Sequence, residues 1–516
     1  MSRLNYTPSL AAVFLDQETI SFLEQNFDVF LWKKFFYKIN EFCKDLPIYI
    51  TTSAKLQLNL ESLLSEFPYL TFDTETNSEA TFLSKLAITL PPSRFNDPDW
   101  DEVCILYFKG IAPLLDHSLM MESWDRHKKF FSQYSYSENL PEGIIPTIIT
   151  REFLSTLPDK LTTDVHSFFL KNINQYDVDI FFVPPDLRQY RFDFRLNNFR
   201  NAKLISNLLK LNENIKYEEI LPTIQQSPNL YRSSPSYIEW EIYKGCELSC
   251  VFCPRQLIDK EDEPISLSTK NVKLITEQFD KFLTSPFTIC LGGNGEPLLH
   301  KEINEIIMSL LSLNHLQELI IESALYQNVD PFIEFLVSLT ENQKSKLCII
   351  INMTTLKADT YKKLYGKDHH AQILKNIERL KEVLPPSSLH VQMIKMIEVG
   401  DEVESFFTFF EKKGINVILQ KYNTFAGKLP EKRVSDLTPI HRDFCWHLNR
   451  DLVIDSNGNV QICKQSSKEI LGNLFTEDLS SIWERGHAFF SDSLHGNHDK
   501  IPAPCLNCDE WYTFNA

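Results

Sequence analysis

The chain has 516 residues, of which 43% are hydrophobic, and a formal net charge of −17. This length predicts two to four domains at roughly 150 residues each, and the negative charge argues against nucleic-acid binding as the main activity because phosphate backbones are repelled. A small molecule or a protein is therefore the expected partner. The sequence shows neither a charged-then-apolar leader nor an apolar run of about 18 residues, which predicts a cytoplasmic protein that does not span a membrane.

The N-terminal third, residues 1–225, shows apolar strand-like segments at 11–15, 46–51 and 103–116. Their spacing predicts a doubly wound α/β domain. Segments 103–116, 142–146 and 195–199 resemble nucleotidyltransferases of the sugar-activating type. Ile111 and Phe199 stand where those relatives place metal-binding Asp residues, and an apolar side chain cannot coordinate magnesium. We therefore expect a degenerate nucleotidyltransferase-like domain, used for binding or assembly.

The middle segment, residues 236–422, alternates apolar strand-like runs with amphipathic helices. Polar stretches at 225–235 and 423–439 mark its two ends. Strands are predicted at 237–243, 286–291, 316–322, 347–352, 390–396 and 415–421. Successive β-strand/α-helix units imply a parallel sheet, and six units are too few to close the usual eight-stranded barrel. The sequence therefore predicts a partial (β/α)6 TIM-type barrel with its ligands at the carboxyl ends of the strands.

Three cysteines with Cys-x3-Cys-x2-Cys spacing follow the first of these strands, at Cys246, Cys250 and Cys253. Three thiolates on one short loop suffice to hold three corners of a [4Fe–4S] cluster, which leaves the fourth iron without a protein ligand. A zinc loop or an accidental grouping of cysteines is the alternative, although zinc sites usually pair one Cys-x2-Cys with a second pair close by.

The cysteine spacing resembles the signature of the radical S-adenosylmethionine (SAM) superfamily, and residues 292–298 resemble its Gly-x-Gly-Glu-Pro element. The resemblance implies that SAM binds the open iron and is cleaved to a 5′-deoxyadenosyl radical, which takes a hydrogen atom from the substrate. It also implies an electron donor such as flavodoxin or ferredoxin. We assign no catalytic residue beyond the cluster ligands. The predicted cofactor contacts are Gly293, Gly295, Glu296, Pro297 and Asn352.

Four further cysteines occupy the C-terminal segment, residues 440–516. They are Cys445, Cys463, Cys505 and Cys508. With Gly458 five positions before Cys463, their order resembles the SPASM extension of radical SAM enzymes. Four thiolates predict one auxiliary [4Fe–4S] cluster, and a tetrahedral zinc site is the alternative because zinc accepts the same ligands.

The favoured interpretation is a radical SAM enzyme with a SPASM-like domain, and the pattern is similar to the spiro-SPASM group. Such relatives often modify peptides or proteins, so we expect a peptide or protein substrate. Radical modification of a sugar or nucleotide-sugar is the enzymatic alternative, suggested by the N-terminal resemblance. A non-catalytic iron–sulfur or zinc protein with a redox or binding role is the third interpretation.

Overall fold

The computed structural model describes residues 7–92, 102–158, 161, 163–255, 263–435, 444–466 and 469–510. The chain divides into two compact units, 1–226 and 227–516. Within these ranges, no helix combines the length and apolar character needed to cross a bilayer. The boundary predicted between residues 422 and 440 lies partly outside the described residues.

The first unit is built on one mixed sheet with the spatial order β3-β2-β1-β4-β6-β5-β7. Its strands are β1 (Leu10–Val13), β2 (Ile48–Thr51), β3 (Leu70–Asp73), β4 (Cys104–Phe108), β5 (Tyr134–Ser137), β6 (Thr147–Thr150) and β7 (Val178–Phe181). Its helices are α1 (Gln17–Gln25), α2 (Val29–Phe42), α3 (Ala54–Glu61), α4 (Glu79–Thr89), α5 (His117–Phe130), α6 (Arg151–Leu154), α7 (Val165–Lys171), α8 (Phe199–Leu211) and α9 (Tyr217–Gln226). β1 pairs in parallel with β2 and β4, whereas β6 runs antiparallel to β4 and β5. The predicted α/β class is confirmed, with an antiparallel strand that the sequence pattern does not reveal.

The second unit contains a sheet with the order β15-β14-β13-β12-β11-β8-β16-β17-β18 and a small β9–β10 ribbon. Its strands are β8 (Tyr237–Trp240), β9 (Tyr243–Lys244), β10 (Ile265–Ser266), β11 (Phe287–Leu291), β12 (Leu316–Ser323), β13 (Leu347–Asn352), β14 (Leu389–Lys395), β15 (Asn416–Lys421), β16 (Asp451–Ile454), β17 (Asn459–Gln461) and β18 (Ile470–Asn473). Its helices are α10 (Thr269–Phe282), α11 (Ile303–Leu311), α12 (Val329–Ser338), α13 (Glu341–Ser345), α14 (Ala358–Tyr365), α15 (His370–Lys381), α16 (Val403–Glu411), α17 (Trp446–Arg450), α18 (Leu479–Arg485), α19 (His487–Leu494) and α20 (Ala503–Leu506).

The strands from β8 to β15 in this sheet are parallel to their neighbours, as the predicted partial barrel requires. Helix α10 shows how the sequence builds the outer layer. The Ser268 side chain caps its first turn by accepting from the backbone N–H of Asn271. Val272, Ile275 and Phe279 then recur at helical spacing and are buried against the sheet. The fold class predicted from the sequence is confirmed.

The C-terminal segment continues the same sheet. β16 pairs in parallel with β8, with Asp451 opposite Tyr237 and Ile454 opposite Trp240, and β16 and β17 form an antiparallel hairpin. β8 would otherwise be an edge strand with unpaired backbone groups. The pairing therefore closes that edge and fixes the C-terminal cysteine region against the barrel.

Candidate functional site

The three predicted cluster cysteines lie on a loop at the carboxyl edge of the parallel sheet. Backbone hydrogen bonds hold this loop to the end of α14. The Ser249 N–H donates to the Tyr365 carbonyl at 3.0 Å, and the Val251 N–H donates to the Leu364 carbonyl at 2.9 Å. Cys246, Cys250 and Cys253 all line one cavity, which is about 1060 Å³ and open to solvent. The structure therefore brings together the residues that the spacing singled out.

The surroundings of these thiols favour a bound cation. Burial raises the pKa of Cys246 and of Cys250, and the thiolates of Cys253 and Cys246 raise that of Cys250 further. Without a positive charge between them, the thiols of Cys246 and Cys250 are therefore protonated at neutral pH. Iron replaces those protons when it binds, because its ligands are thiolates. The donor set and its spacing thus fit an iron–sulfur cluster.

The glycine-rich element after β11 is docked onto the segment that leads into the cysteine loop. Gly293 has φ +87°, a conformation that disfavours side chains. A Cβ on Gly295 would lie 1.7 Å from the carbonyl oxygen of Tyr243, so only glycine fits there. The Glu296 N–H donates to the Gly245 carbonyl at 2.8 Å. Backbone is thus exposed to the cavity, which suits close approach to a ligand.

Glu296 is only 4% exposed, and its carboxylate already serves the scaffold. It accepts hydrogen bonds from the Ser323 hydroxyl at 2.7 Å and from the Ala324 N–H at 2.8 Å. Burial raises its pKa, and these hydrogen bonds lower it in part. Glu296 lines the cavity, so its contact with the SAM ammonium stays a prediction. Pro297 does not belong to the lining, and it begins the 3-10 turn Pro297–Leu299 instead.

The opposite wall of the cavity comes from later strands of the barrel. Asn352 ends β13 and its side-chain oxygen accepts from the Gln392 amide at 2.7 Å. Both side chains line the cavity, as do Gln420, Lys421 and Tyr422 near the end of β15. Asn352 therefore lies where a ribose hydroxyl could be bound, and this role stays a prediction.

The C-terminal cysteines form a second cluster in the same unit. Cys445 and Cys505 pack against Cys508 and Ile501. Burial raises the pKa of Cys463, and the thiolates of Cys445 and Cys508 raise it further. Cys463 therefore lies near Cys445 and Cys508, although 45 residues separate it from Cys508.

Backbone amides also point at this second cluster. The Gln465 N–H donates to the Cys463 Sγ at 3.5 Å, and the Glu510 N–H donates to the Cys508 Sγ at 3.3 Å. Hydrogen bonds to sulfur stabilise thiolates and tune the metal that they bind. Four cysteine thiolates suit an iron–sulfur cluster or zinc by donor type, and both interpretations stay open.

Four charged residues that line the cavity are absent from the sequence-based site, and Arg255 and Lys421 are two of them. Glu322 near the end of β12 and Lys464 next to Cys463 both line it. A carboxylate in an otherwise apolar strand end is a signal that could have identified Glu322. Lys464 could not have been found, because its position depends on the pairing of β16 with β8.

The first unit contains the residues that depart from the nucleotidyltransferase pattern. Ile111 is fully buried, whereas Phe199 starts α8 with 42% of its surface exposed. Neither side chain can bind a metal ion. A degenerate, non-catalytic role for this unit stays a prediction.

Comparison with known proteins agrees with this architecture. Residues 240–410 match the model of the radical SAM superfamily, and residues 445–509 match that of the SPASM iron–sulfur cluster-binding domain. An uncharacterized protein of Treponema pallidum (strain Nichols) is 25% identical over 357 residues, which cover 67% of this chain and 96% of the relative. GTP 3′,8-cyclase of Clostridium botulinum (strain Okra / Type B1) is 20% identical over 276 residues, which cover 46% of this chain and 83% of the cyclase.

Among solved structures, Streptococcus suis SuiB bound to precursor peptide SuiA is similar, with a TM-score of 0.41 and 15% identity over 64% of this chain and 88% of SuiB. The two domain matches imply a [4Fe–4S] cluster, SAM and an auxiliary iron–sulfur cluster as cofactors. The chain thus carries a radical SAM domain followed by a C-terminal SPASM-type iron–sulfur cluster-binding domain.

Proposed function

We propose that this enzyme holds its SAM-binding [4Fe–4S] cluster through Cys246, Cys250 and Cys253 and starts a radical modification of a peptide or protein. When bound, the cluster supplies an electron to the SAM sulfonium, whose cleavage gives the 5′-deoxyadenosyl radical for hydrogen abstraction from the substrate. An external donor such as flavodoxin or ferredoxin delivers that electron. The observation that carries the proposal is the opening of the three-cysteine loop onto the same cavity as the glycine element.

The chain's own groups position and enclose the cofactor. Gly293 and Gly295 let backbone approach SAM closely, and the amide of Asn352 offers a donor and an acceptor to the ribose hydroxyls. Glu296 keeps the glycine element fixed to the end of β12 through its hydrogen bonds to Ser323 and Ala324. The protein thus supplies orientation and shielding, and the cofactors supply the radical chemistry.

The second cysteine cluster holds an auxiliary [4Fe–4S] cluster in this proposal. Because Cys445, Cys463, Cys505 and Cys508 would occupy all four irons, none is left for substrate. The auxiliary cluster would then transfer electrons or organise the domain. Zinc at this position is the competing interpretation, and metal analysis decides between them.

Anaerobic reconstitution of the full chain tests the cofactor assignment. The wild type should contain about eight irons, as two cubane clusters require, and should form 5′-deoxyadenosine from SAM with dithionite. Cys250→Ala should abolish this cleavage, whereas Cys463→Ala should retain some uncoupled cleavage. Cys43→Ala, which removes a thiol outside both clusters, should behave as the wild type. A wild type with both clusters but without 5′-deoxyadenosine, or equal and complete loss in both cluster variants, contradicts the proposal.

Isotope transfer tests the substrate class. Peptides and sugars carrying deuterium are offered to the reconstituted enzyme, and label is sought in 5′-deoxyadenosine. Transfer from a peptide is expected, because SPASM-bearing relatives often modify peptides or proteins. Transfer from sugars or nucleotide-sugars, with none from peptides, would instead favour radical modification of a sugar over modification of a peptide.

A further inference from the structure

A second cavity adjoins the one that contains the cluster cysteines. It is about 1280 Å³, open to solvent, and lies between the barrel and the β16–β17 hairpin. Gly293, Asn294, Glu322 and Lys464 line both cavities. A group bound in the second cavity therefore lies next to the proposed SAM site, where a substrate must lie to lose a hydrogen atom.

The second cavity is rich in negative charge. Four carboxylates and two lysines line it, and these are Glu239, Glu241, Glu322, Asp455, Lys244 and Lys464. One lysine is already engaged, because Lys464 Nζ lies 3.6 Å from a carboxylate oxygen of Glu239. The field inside the cavity thus disfavours anionic ligands and favours cationic ones.

Most of these carboxylates already have donors within the protein. Glu241 accepts from the Asn294 N–H at 3.0 Å and from the Ser456 hydroxyl at 3.2 Å. Asp455 accepts from the backbone N–H groups of Asn457 and Asn459, both at 2.9 Å. These two side chains shape the cavity wall and need no further partner.

Glu322 differs from them. Among the described residues, its carboxylate accepts no hydrogen bond and makes no salt bridge. It is partly buried and faces the two cavities that it lines. Burial and the nearby Glu239 carboxylate raise its pKa, and the Lys464 ammonium lowers it in part. One carboxylate oxygen would lie 3.6 Å from a Cβ on Gly292, at the start of the glycine element. Lys464 attracts this carboxylate but is already paired with Glu239. A carboxylate that no hydrogen bond satisfies in such a site is costly, so we expect a further partner to arrive with a ligand.

We propose that the second cavity binds an amine or guanidinium group of the peptide substrate and that Glu322 is the anionic partner of this group. The inference rests on the proposed function, and it narrows the substrate to a peptide with a cationic group close to the site of hydrogen abstraction. A lysine side chain, an arginine side chain and a peptide N-terminus share this chemistry.

Equilibrium dialysis with the reconstituted full-length enzyme and SAM tests the proposal. The probes are pentapeptides acetyl-Gly-Gly-X-Gly-Gly-amide with lysine, arginine or norleucine at X, and a lysine-free peptide with a free N-terminus. At least one cationic probe should bind about tenfold more tightly than the norleucine peptide, which is the expected gain from a charge-assisted hydrogen bond. The preferred probe identifies the source of the charge.

Glu322→Gln should remove this preference. The dissociation constant of SAM should stay within about twofold of the wild-type value, because a change of that size in affinity corresponds to a very small change in binding free energy. Glu318→Gln is the matched control. It makes the same replacement on the same strand four residues earlier, at a position that lines neither cavity, and it should retain the preference.

Equal binding of cationic and norleucine probes, or no binding of any cationic probe at millimolar concentration, overturns the proposal. Loss of SAM affinity in Glu322→Gln also overturns it, because the carboxylate would then serve the cofactor. Loss of the preference in Glu318→Gln also overturns the proposal, because the effect of Glu322→Gln would then not be specific to Glu322. Formation of 5′-deoxyadenosine without peptide is measured in parallel, so failure of the SAM chemistry is distinguished from failure of peptide selection.

Discussion

The hydroxyl of Tyr326 lies 3.6 Å from the Sγ of Cys246. The same oxygen accepts a hydrogen bond from the Glu247 N–H at 3.1 Å, and the ring stacks on His369 with centroids 5.3 Å apart. Two contacts thus fix the phenol, and its proton is free to be donated to the thiolate. Tyr326 follows β12 by three residues, so the end of a barrel strand places this hydroxyl beside a proposed cluster ligand.

Removal of this donor should lower the reduction potential of the SAM-binding cluster. A hydrogen bond to sulfur stabilises the reduced, more negative state, and a net loss of about 0.5–1.5 kcal/mol corresponds to roughly 20–60 mV for one electron. Tyr326→Phe should therefore show a potential lower by that amount in a redox titration followed by electron paramagnetic resonance.

Tyr361→Phe is the matched control for this measurement. Its hydroxyl is buried without a hydrogen bond among the described residues, so its removal should leave the potential unchanged. An unchanged potential in Tyr326→Phe would show that the phenol does not donate to the cluster ligand.

The cysteine loop and the barrel strands were accessible to sequence reasoning because each depends on local pattern. β13 begins and ends at the predicted residues, Leu347 and Asn352, and β11 begins one residue after its predicted start. Apolar runs of this length between helices leave few alternative structures. The Cys-x3-Cys-x2-Cys spacing likewise shows that three thiols share one loop, even when the fold is not known.

Other parts of the site depend on contacts that no local pattern encodes. The pairing of β16 with β8 joins segments more than 200 residues apart, and it alone brings Lys464 to Glu239. The inward orientation of Glu322 depends on strand register. Pro297 illustrates the reverse case, since it belongs to a recognisable motif and yet lies outside the cavity lining.

Gly295 should tolerate no side chain. A Cβ at this position would lie 1.7 Å from the Tyr243 carbonyl oxygen, and backbone must move to relieve that contact. Gly295→Ala should therefore lower the free energy of unfolding by about 1–3 kcal/mol or more and reduce iron content and SAM binding. Chemical denaturation, iron analysis and equilibrium dialysis measure the three effects.

Gly292→Ala provides the comparison within the same element. The nearest atoms to a Cβ there are 3.5 Å away, which is ordinary contact, so its stability and iron content should be close to wild type. Equal stability of the two variants would show that the close approach at Gly295 is not a constraint.

Arg232 should be a strong determinant of stability in the second unit. It is 3% exposed and donates to the carbonyls of Leu448 at 2.7 Å and Trp483 at 2.6 Å. Its guanidinium carbon lies 3.5 Å from the centroid of the Trp483 ring. Arg232→Met leaves two buried carbonyls without these donors and should cost about 2–4 kcal/mol in urea denaturation.

The exposed Arg485 serves as the control for this substitution. It pairs with Glu477 at the surface, and such pairs contribute about 0–1 kcal/mol. If Arg485→Met destabilised the chain as much as Arg232→Met, burial of the guanidinium would not be the cause.

His127 should make the stability of the first unit depend on pH. Burial lowers its pKa to about 3, and its ring lies 3.2 Å from the Cys104 Sγ and 2.8 Å from the Ser135 hydroxyl oxygen. The unfolded chain takes up a proton at this residue below about pH 6.5, whereas the folded chain does not until about pH 3. The unfolded state therefore binds more protons between these values, and stability falls as pH falls.

Between pH 7 and pH 5 this difference should remove on the order of 2 kcal/mol of stability from the first unit. Trp124 stacks on His127 with ring centroids 5.6 Å apart, so the fluorescence of Trp124, one of seven tryptophans, changes when this position unfolds in urea. His127→Gln should be less stable at pH 7 but should lose less stability on acidification, because glutamine does not titrate. His495→Gln, at an exposed site, should keep the wild-type dependence, and an unchanged dependence in His127→Gln would assign the acid sensitivity to other groups.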